Sequence, residues 1–191
     1  MKFGLKIIKN IDIKELAGLV CQYLMGNGIE AVLAGGGCVS TYSRNRYISG
    51  DLDFITYSAI KEIEPVLYKI GFIKKSGRHF EHPQCGFFIE FPPPPIAIGN
   101  TLIELVIKTR YGILKLLTVE DCIKDRLAAF YFWNDPQSLE QAVLITKTFK
   151  KEIDFNSIEK WSKQEGEEEK FRKFLKLTEK KSKSLQFIMI K

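Results

Sequence analysis

The sequence of 191 residues lacks several patterns that would assign a chain to a common class of protein. No apolar run approaches the roughly 20 residues that span a bilayer, so we expect no membrane segment. The start, M-K-F-G-L-K-I-I-K-N-I-D-I-K-E-L, carries too many charges for a secretory signal peptide. The four cysteines are far apart and form no C-x-x-C pair, which predicts reduced thiols and a cytoplasmic protein.

Two common nucleotide-binding motifs are absent as well. No G-x-x-x-x-G-K-[ST] occurs, which excludes a P-loop. A Rossmann fingerprint is excluded because Ser40 stands where its last glycine would be and the following acids come too early. His79 and His82 lack a nearby cysteine pair or third ligand, so we interpret them as an ordinary surface or turn pair rather than a zinc site. Contact with a substrate is the alternative, since both histidines directly precede a predicted strand.

Composition and charge favour a folded protein with an anionic partner. Hydrophobic residues make up 45% and charged residues 27% of the chain, as in ordinary globular proteins. The net charge of +6 and the pI of about 9.0 are a mild argument for a polyanion such as nucleic acid. Charges of both signs surround Phe171 and Phe174, which favours a solvated helix with a packed apolar stripe over a basic tail.

The most informative stretch begins with three glycines that follow a short apolar segment. Residues 30–34 are typical of a buried strand, and Gly35, Gly36 and Gly37 then allow a sharp turn without Cβ atoms. We expect a helix to begin at Cys38. Amides at a helix start favour anions, so phosphate oxygens could approach the backbone there.

Two carboxylates follow the glycine turn at the spacing of a strand face. Asp51 and Asp53 would point to one side while Leu52 and Phe54 face the core. A divalent cation between two such carboxylates keeps both ionised, which suggests a nucleoside triphosphate carried with magnesium. Glycine turns and solvated Asp-x-Asp edges are each common alone, and only their combination favours this function.

This stretch resembles the signature of the nucleotidyltransferase superfamily, which has a polymerase-β-like fold. The signature is a hydrophobic residue, Gly-Gly or Gly-Ser, a spacer, and Asp-x-Asp or Asp-x-Glu. Within the superfamily the chain is most similar to the AbiEii-like group, minimal transferases often found as toxins of bacterial toxin–antitoxin pairs. Arg46, Ser49 and residues 51–54 match its second motif, which reads roughly Arg, Ser, x, Asp, Leu, Asp, Phe.

The resemblance implies an α/β (α+β) fold: a mixed sheet flanked by helices, followed by a C-terminal helical bundle. We place the boundary near residue 117, which gives a nucleotidyltransferase domain over 1–117 and a bundle over 118–191. Such enzymes typically use a third carboxylate from a later strand. Glu90 in F-F-I-E-F is our choice and Glu104 is the alternative.

A later block also resembles AbiEii-like sequences, which carry a helix with a lysine and, further on, an aspartate. Lys124 and Asp135 stand at these positions. A capping pattern at Thr118 predicts the helix start, and Pro136 predicts its end. Lys124 could then reach a triphosphate, with Arg126 as a weaker candidate. Both basic residues could instead pair with neighbouring acids on the helix surface.

The resemblance implies that Asp51, Asp53 and Glu90 bind Mg²⁺ or Mn²⁺, while the glycines and Ser49 position a nucleoside triphosphate. The nucleoside monophosphate would move to a hydroxyl of RNA, such as a tRNA end, or of a protein. A cognate antitoxin is a further expected partner. Two alternatives stay open: a catalytically silent module that binds nucleotide, RNA or a partner protein on the same fold, and a less favoured metal-dependent nuclease.

Overall fold

A seven-stranded mixed sheet forms the centre of the protein. The structure is a computed structural model that describes residues 8–94 and 104–179. Its strands are β1 Val32–Ala34, β2 Asp51–Ile55, β3 Ile73–Ser76, β4 His79–Glu81, β5 Phe88–Glu90, β6 Glu104–Thr109 and β7 Gly112–Leu117. Its helices are the 3₁₀ turn Ile8–Asn10, α1 Ile13–Met25, α2 Gly35–Ser43, α3 Ile60–Tyr68, α4 Val119–Trp133, α5 Pro136–Phe149, α6 Phe155–Gln164 and α7 Glu168–Glu179.

The sheet has the order β3-β4-β5-β2-β1-β7-β6. β2 runs antiparallel to β1 and parallel to β5, and β1 runs parallel to β7. An antiparallel pair forms each edge of the sheet, β3 with β4 at one edge and β6 with β7 at the other. The predicted mixed sheet flanked by helices is therefore confirmed. Pro95 of the predicted proline loop and residues 101–103 of the predicted hairpin lie outside the described residues, and so does the side chain of Glu104.

The start of α2 differs from the prediction of a glycine turn followed by a helix from Cys38. The helix begins at Gly35 itself, so the glycines form its first turn. Gly35 makes the bend out of β1 with a φ of 59°, a conformation that glycine adopts without the strain of a Cβ atom. Gly36 and Gly37 continue into the helix and let it lie directly against the start of β2. The prediction was wrong about where the helix starts.

The helices after β7 pack on the sheet domain through one continuous core. Thr118 caps α4 by accepting a hydrogen bond from the Asp121 amide at 3.2 Å, and α4 ends at Trp133, before the break predicted at Pro136, where α5 begins. Tyr42 of α2 donates from its hydroxyl to the carbonyl of Leu117 at 2.6 Å. Buried residues from Ile11 to Phe174 belong to the same core. The division near residue 117 stays a prediction.

Within residues 8–94 and 104–179, no helix is both long enough and apolar enough to cross a bilayer.

Candidate functional site

Asp51 and Asp53 lie on the same face of β2, at the centre of the sheet. Leu52 and Phe54 between and after them are fully buried, while both carboxylates remain partly exposed. This is the alternation expected of a strand with one face in the core. The strand therefore holds two acids side by side at one edge of the core.

The environment of Asp53 disfavours its ionised form. Burial, followed by the charge of Asp51, raises the pKa of Asp53 to about 7. Arg126 acts in the opposite direction, and Asp125 and Glu90 add to the rise. A carboxyl whose pKa lies near neutrality in a half-buried cluster is typical of functional sites, because a specific arrangement of charges must maintain it.

The glycines at the start of α2 lie in contact with this cluster. A Cβ atom on Gly35 would be 1.9 Å from Oδ2 of Asp53, and one on Gly36 would be 2.4 Å from Oγ of Ser49. Only residues without side chains can therefore bring the helix start this close to β2. The positive end of α2 thus lies next to the two carboxylates.

Ser49 and Tyr47 extend the cluster by hydrogen bonds. The Ser49 hydroxyl donates to Oδ1 of Asp51, and the Tyr47 phenol is hydrogen-bonded to Ser49. Burial, aided by the charges of Asp51 and Asp135, raises the pKa of Tyr47. Ser49 therefore orients Asp51. The sequence analysis missed Tyr47, although it precedes Ser49 by only two residues.

Asp125 and Arg126 of α4 join the cluster from the helical part of the chain. The Gly35 amide donates to Oδ2 of Asp125 at 3.2 Å, and Arg126 donates to the same oxygen from Nε at 3.0 Å and Nη2 at 2.6 Å. Burial acts to lower the pKa of Arg126, but Asp125 holds it above its ordinary value. Asp125 was not predicted as a site residue, and no local pattern indicates a contact with a residue 90 positions earlier.

Glu90 lies on β5, directly opposite Asp53 in the parallel pairing with β2. His79 on β4 is its other neighbour, with Nδ1 at 2.9 Å from Oε1 of Glu90. Hydrogen bonds to Glu90 and Glu81 raise the pKa of His79. Of the predicted surface or turn pair, only His79 is partly exposed: the ring of His82 is buried against Phe72, and its carbonyl accepts from the Cys85 amide in the turn after β4.

Comparison with known proteins bears on the fold alone. No protein-family model and no curated protein match the chain. Similar solved structures include an antigenic nucleotidyltransferase-like protein from Paracoccidioides brasiliensis, with 12% identity, a TM-score of 0.58 and coverage of 86% of this chain and 92% of that one. The antibiotic-resistance factor ANT(2'')-Ia has 11% identity, a TM-score of 0.52 and the same coverages. The fold is nucleotidyltransferase-like. The AbiEii-like group stays a hypothesis.

In this nucleotidyltransferase-like fold, the predicted Lys124 and Asp135 lie apart from each other. Lys124 pairs with Asp121 at 3.2 Å and lines a depression with residues of α6. Asp135 caps α5 by accepting hydrogen bonds from the Ser138 amide and hydroxyl, at 3.2 Å and 2.6 Å. Its charge also contributes to the raised pKa of Tyr47, after burial and the charge of Asp51. On α4 it is therefore Asp125 that contacts Gly35, with Arg126 paired to Asp125, whereas Lys124 pairs with Asp121.

The oxygen-only donors of the site fit a hard divalent cation. Burial and then the charge of Asp51 raise the pKa of Asp53, and a cation beside the two carboxylates would favour their ionised forms. Within residues 8–94 and 104–179, no three His, Cys, Asp or Glu side chains converge on one point as a preformed metal site. Only Oε1 of Glu90 is engaged with His79, so Glu90 could still supply one oxygen, and phosphate oxygens would have to complete the coordination.

We expect Asp53→Asn to stabilise the metal-free protein above pH 7. The folded chain retains a proton on Asp53 up to about pH 7, whereas the unfolded chain releases it near the ordinary pKa of 3.8. Stability therefore falls as pH rises through this interval, and asparagine removes that loss. The gain at pH 8 should be roughly 1–3 kcal/mol, below the full value of the shift because Asp53 is partly exposed.

Urea unfolding between pH 4.5 and 8.5 measures this difference. Plotted against pH, the free energies of unfolding of Asp53→Asn and of the unchanged protein should converge at low pH. At pH 8, Mg²⁺ should reduce the difference between them by stabilising only the unchanged protein. Glu64→Gln, which removes an exposed acid on α3, is the matched control and should follow the unchanged protein. If the stability of Asp53→Asn varied with pH in parallel with that of the unchanged protein, the raised pKa of Asp53 would be contradicted.

We expect Gly35→Ala to disrupt the site. The alanine would have to adopt a φ of 59° and its Cβ would displace the Asp53 carboxylate. The strained backbone alone costs about 1–2 kcal/mol. Thermal unfolding and Mn²⁺ titration should both show losses, whereas Gly86→Ala, where a Cβ meets no atom within 4 Å, should show neither. Unchanged Mn²⁺ binding in Gly35→Ala would refute the close approach of Gly35 to the Asp53 carboxylate.

Proposed function

We propose that this protein is a metal-dependent nucleotidyltransferase that moves a nucleoside monophosphate from a triphosphate to an acceptor hydroxyl. The observation that carries the proposal is the contact between Gly35, at the start of α2, and the Asp53 carboxylate, which shares a face of β2 with Asp51. It joins an anion-favouring helix end to a cation-favouring acid pair. A triphosphate with its metal ion needs both, whereas a metal-dependent nuclease needs only the acids.

The triphosphate would lie over the start of α2. Gly35 and Gly36 let the helix start lie against Asp53 and Ser49, and Ser49 orients Asp51 beside them. Arg126 is our candidate for the cation that offsets charge on the leaving pyrophosphate, because its guanidinium already interacts with Asp53. Lys124 would have to leave Asp121 to take this role.

The acceptor would enter on the Glu90 side, across Asp53 from the glycines. Its hydroxyl loses a proton, the oxygen bonds to the α-phosphorus, and the bond from that phosphorus to pyrophosphate breaks. Bound Mg²⁺ or Mn²⁺, held by Asp51, Asp53 and Glu90, would lower the pKa of the hydroxyl and offset the developing charge. By the AbiEii-like resemblance, the acceptor is RNA, such as a tRNA end, or a protein hydroxyl.

One observation favours the alternative of a catalytically silent binding module on the same fold. The Gly35 amide is already occupied by Asp125, and Glu90 by His79, so both ends of the site have internal partners. A binder would hold nucleotide without releasing pyrophosphate. Turnover therefore separates the two functions.

We expect label to move from an α-³²P-labelled nucleoside triphosphate to RNA or protein in the presence of Mg²⁺. Each of the four triphosphates is tested with total RNA and with cell protein, and pyrophosphate release is measured in parallel. Asp51→Asn and Asp53→Asn should each reduce transfer by at least about 100-fold, because they remove carboxylates that act in the transition state. Glu64→Gln should leave it unchanged. Binding of triphosphate without pyrophosphate release would establish the silent module, and shortened RNA would indicate the nuclease.

We further propose that the protein is the toxin of a toxin–antitoxin pair, since AbiEii-like proteins often have this role. Induced expression in a bacterial host should then arrest growth, and Asp53→Asn at equal abundance should not, because arrest requires transfer. Viable counts after induction, with immunoblots for abundance, measure the effect. Equal arrest by both proteins would contradict a toxic transferase.

A further inference from the structure

Three side chains form a row across neighbouring strands at the acceptor side of the proposed site. Asp53 on β2 is in register with Glu90 on β5, and Glu90 is in register with His79 on β4. Residues in register on adjacent strands project from the same face of a sheet. The sheet therefore carries Asp53, Glu90 and His79 side by side, and we call this set the cross-strand row.

His79 is held in place from three directions. Its Nδ1 lies 2.9 Å from Oε1 of Glu90, and its Nε2 lies 3.0 Å from Oε1 of Glu81. Its ring packs on Phe88 with centroids 4.6 Å apart and an interplanar angle of 38°. A ring fixed at both nitrogens and on one face presents a hydrogen-bond donor in a defined direction.

Glu90 depends on that donor for its own orientation. Its side chain is 44% exposed, against 22% for His79, so packing alone does not select one rotamer. A long exposed carboxylate loses rotamer freedom when it engages an ion. The hydrogen bond to Oε1 orders Glu90 beforehand, and the strand register places Glu90 beside Asp53.

We propose that His79 is a positioning residue that orients the Glu90 carboxylate within the cross-strand row for its role in metal binding and acceptor activation. This inference rests on the proposed function for the activation of an acceptor. The orientation of Glu90 toward a metal ion can be tested without any turnover.

The first test is a cycle of variants with Mn²⁺ alone as the probe, read by the electron paramagnetic resonance signal of free Mn²⁺. His79→Leu should raise the Mn²⁺ dissociation constant about tenfold, as is typical when a residue that orients a metal ligand is removed. In a Glu90→Ala background the same change should have no further effect, because His79 acts through Glu90. An equal loss in both backgrounds would overturn the proposal, and so would no loss in either.

Two further variants separate the hydrogen bond from the bulk of the ring. His79→Asn keeps a donor near the position of Nδ1 and should restore binding to within about threefold of the unchanged protein. Glu81→Gln keeps a partner for Nε2 and should bind Mn²⁺ normally. Thermal unfolding must show that His79→Leu is folded. If His79→Asn binds as weakly as His79→Leu, the hydrogen bond is not the cause and the proposal falls.

Kinetics distinguish this proposal from the proposed function. If transfer occurs, His79→Leu should lower kcat about 10- to 100-fold while KM for the triphosphate stays unchanged, because the glycines, Asp51 and Asp53 are intact. Mn²⁺ binding that depends on His79 without any transfer would refute the transferase and leave the positioning role supported. Transfer that is unaffected by His79→Leu would refute the positioning role alone. No Mn²⁺ binding by the unchanged protein would refute both.

Discussion

The repulsion between Asp51 and Asp53 is the constraint on which the rest of the site depends. Alternation along β2 forces both carboxylates to one face while Leu52 and Phe54 fasten the strand to the core. Neither acid can move away without pulling a fully buried neighbour out. The surrounding charges do not resolve the conflict, because Arg126 is shared with Asp125. The negative charge of the acid pair is therefore only partly neutralised, and a bound cation would neutralise the rest.

Several features of the fold follow from the need to enclose this acid pair closely. Gly35 bends the chain at a φ of 59° so that α2 starts against Asp53, and Asp125 accepts the Gly35 amide. That hydrogen bond ties the helices after β7 to the sheet at the site itself. If the chain divides into two domains near residue 117, this hydrogen bond joins them beside the two acids. The helices after β7 then form one side of the site.

The sequence predicted those parts of the site that depend on local periodicity, and it failed where the geometry is set by distant contacts. The common face of Asp51 and Asp53 needs only the two-residue repeat of a strand. The choice between Lys124 and its neighbours needs the rotation of α4, where one residue turns a side chain by about 100°. The contact of His79 with Glu90 needs the β4–β5 register, which no local pattern specifies.

The order of the strands bears on how a reaction would be arranged. The chain passes from β2 through α3, β3 and β4 before β5 returns to lie parallel to β2, so Glu90 reaches Asp53 from one side. On the other side, β1 leads directly into Gly35. In the proposed reaction, the order β4-β5-β2-β1 then matches the order positioning histidine, acceptor, metal ions and triphosphate. Because neighbouring strands lie about 4.8 Å apart, the residues that would hold the acceptor and the triphosphate stand on opposite sides of Asp53, and the acceptor hydroxyl and the α-phosphorus would have to meet above it. In the proposed reaction the sheet would thus set the side from which each reactant approaches.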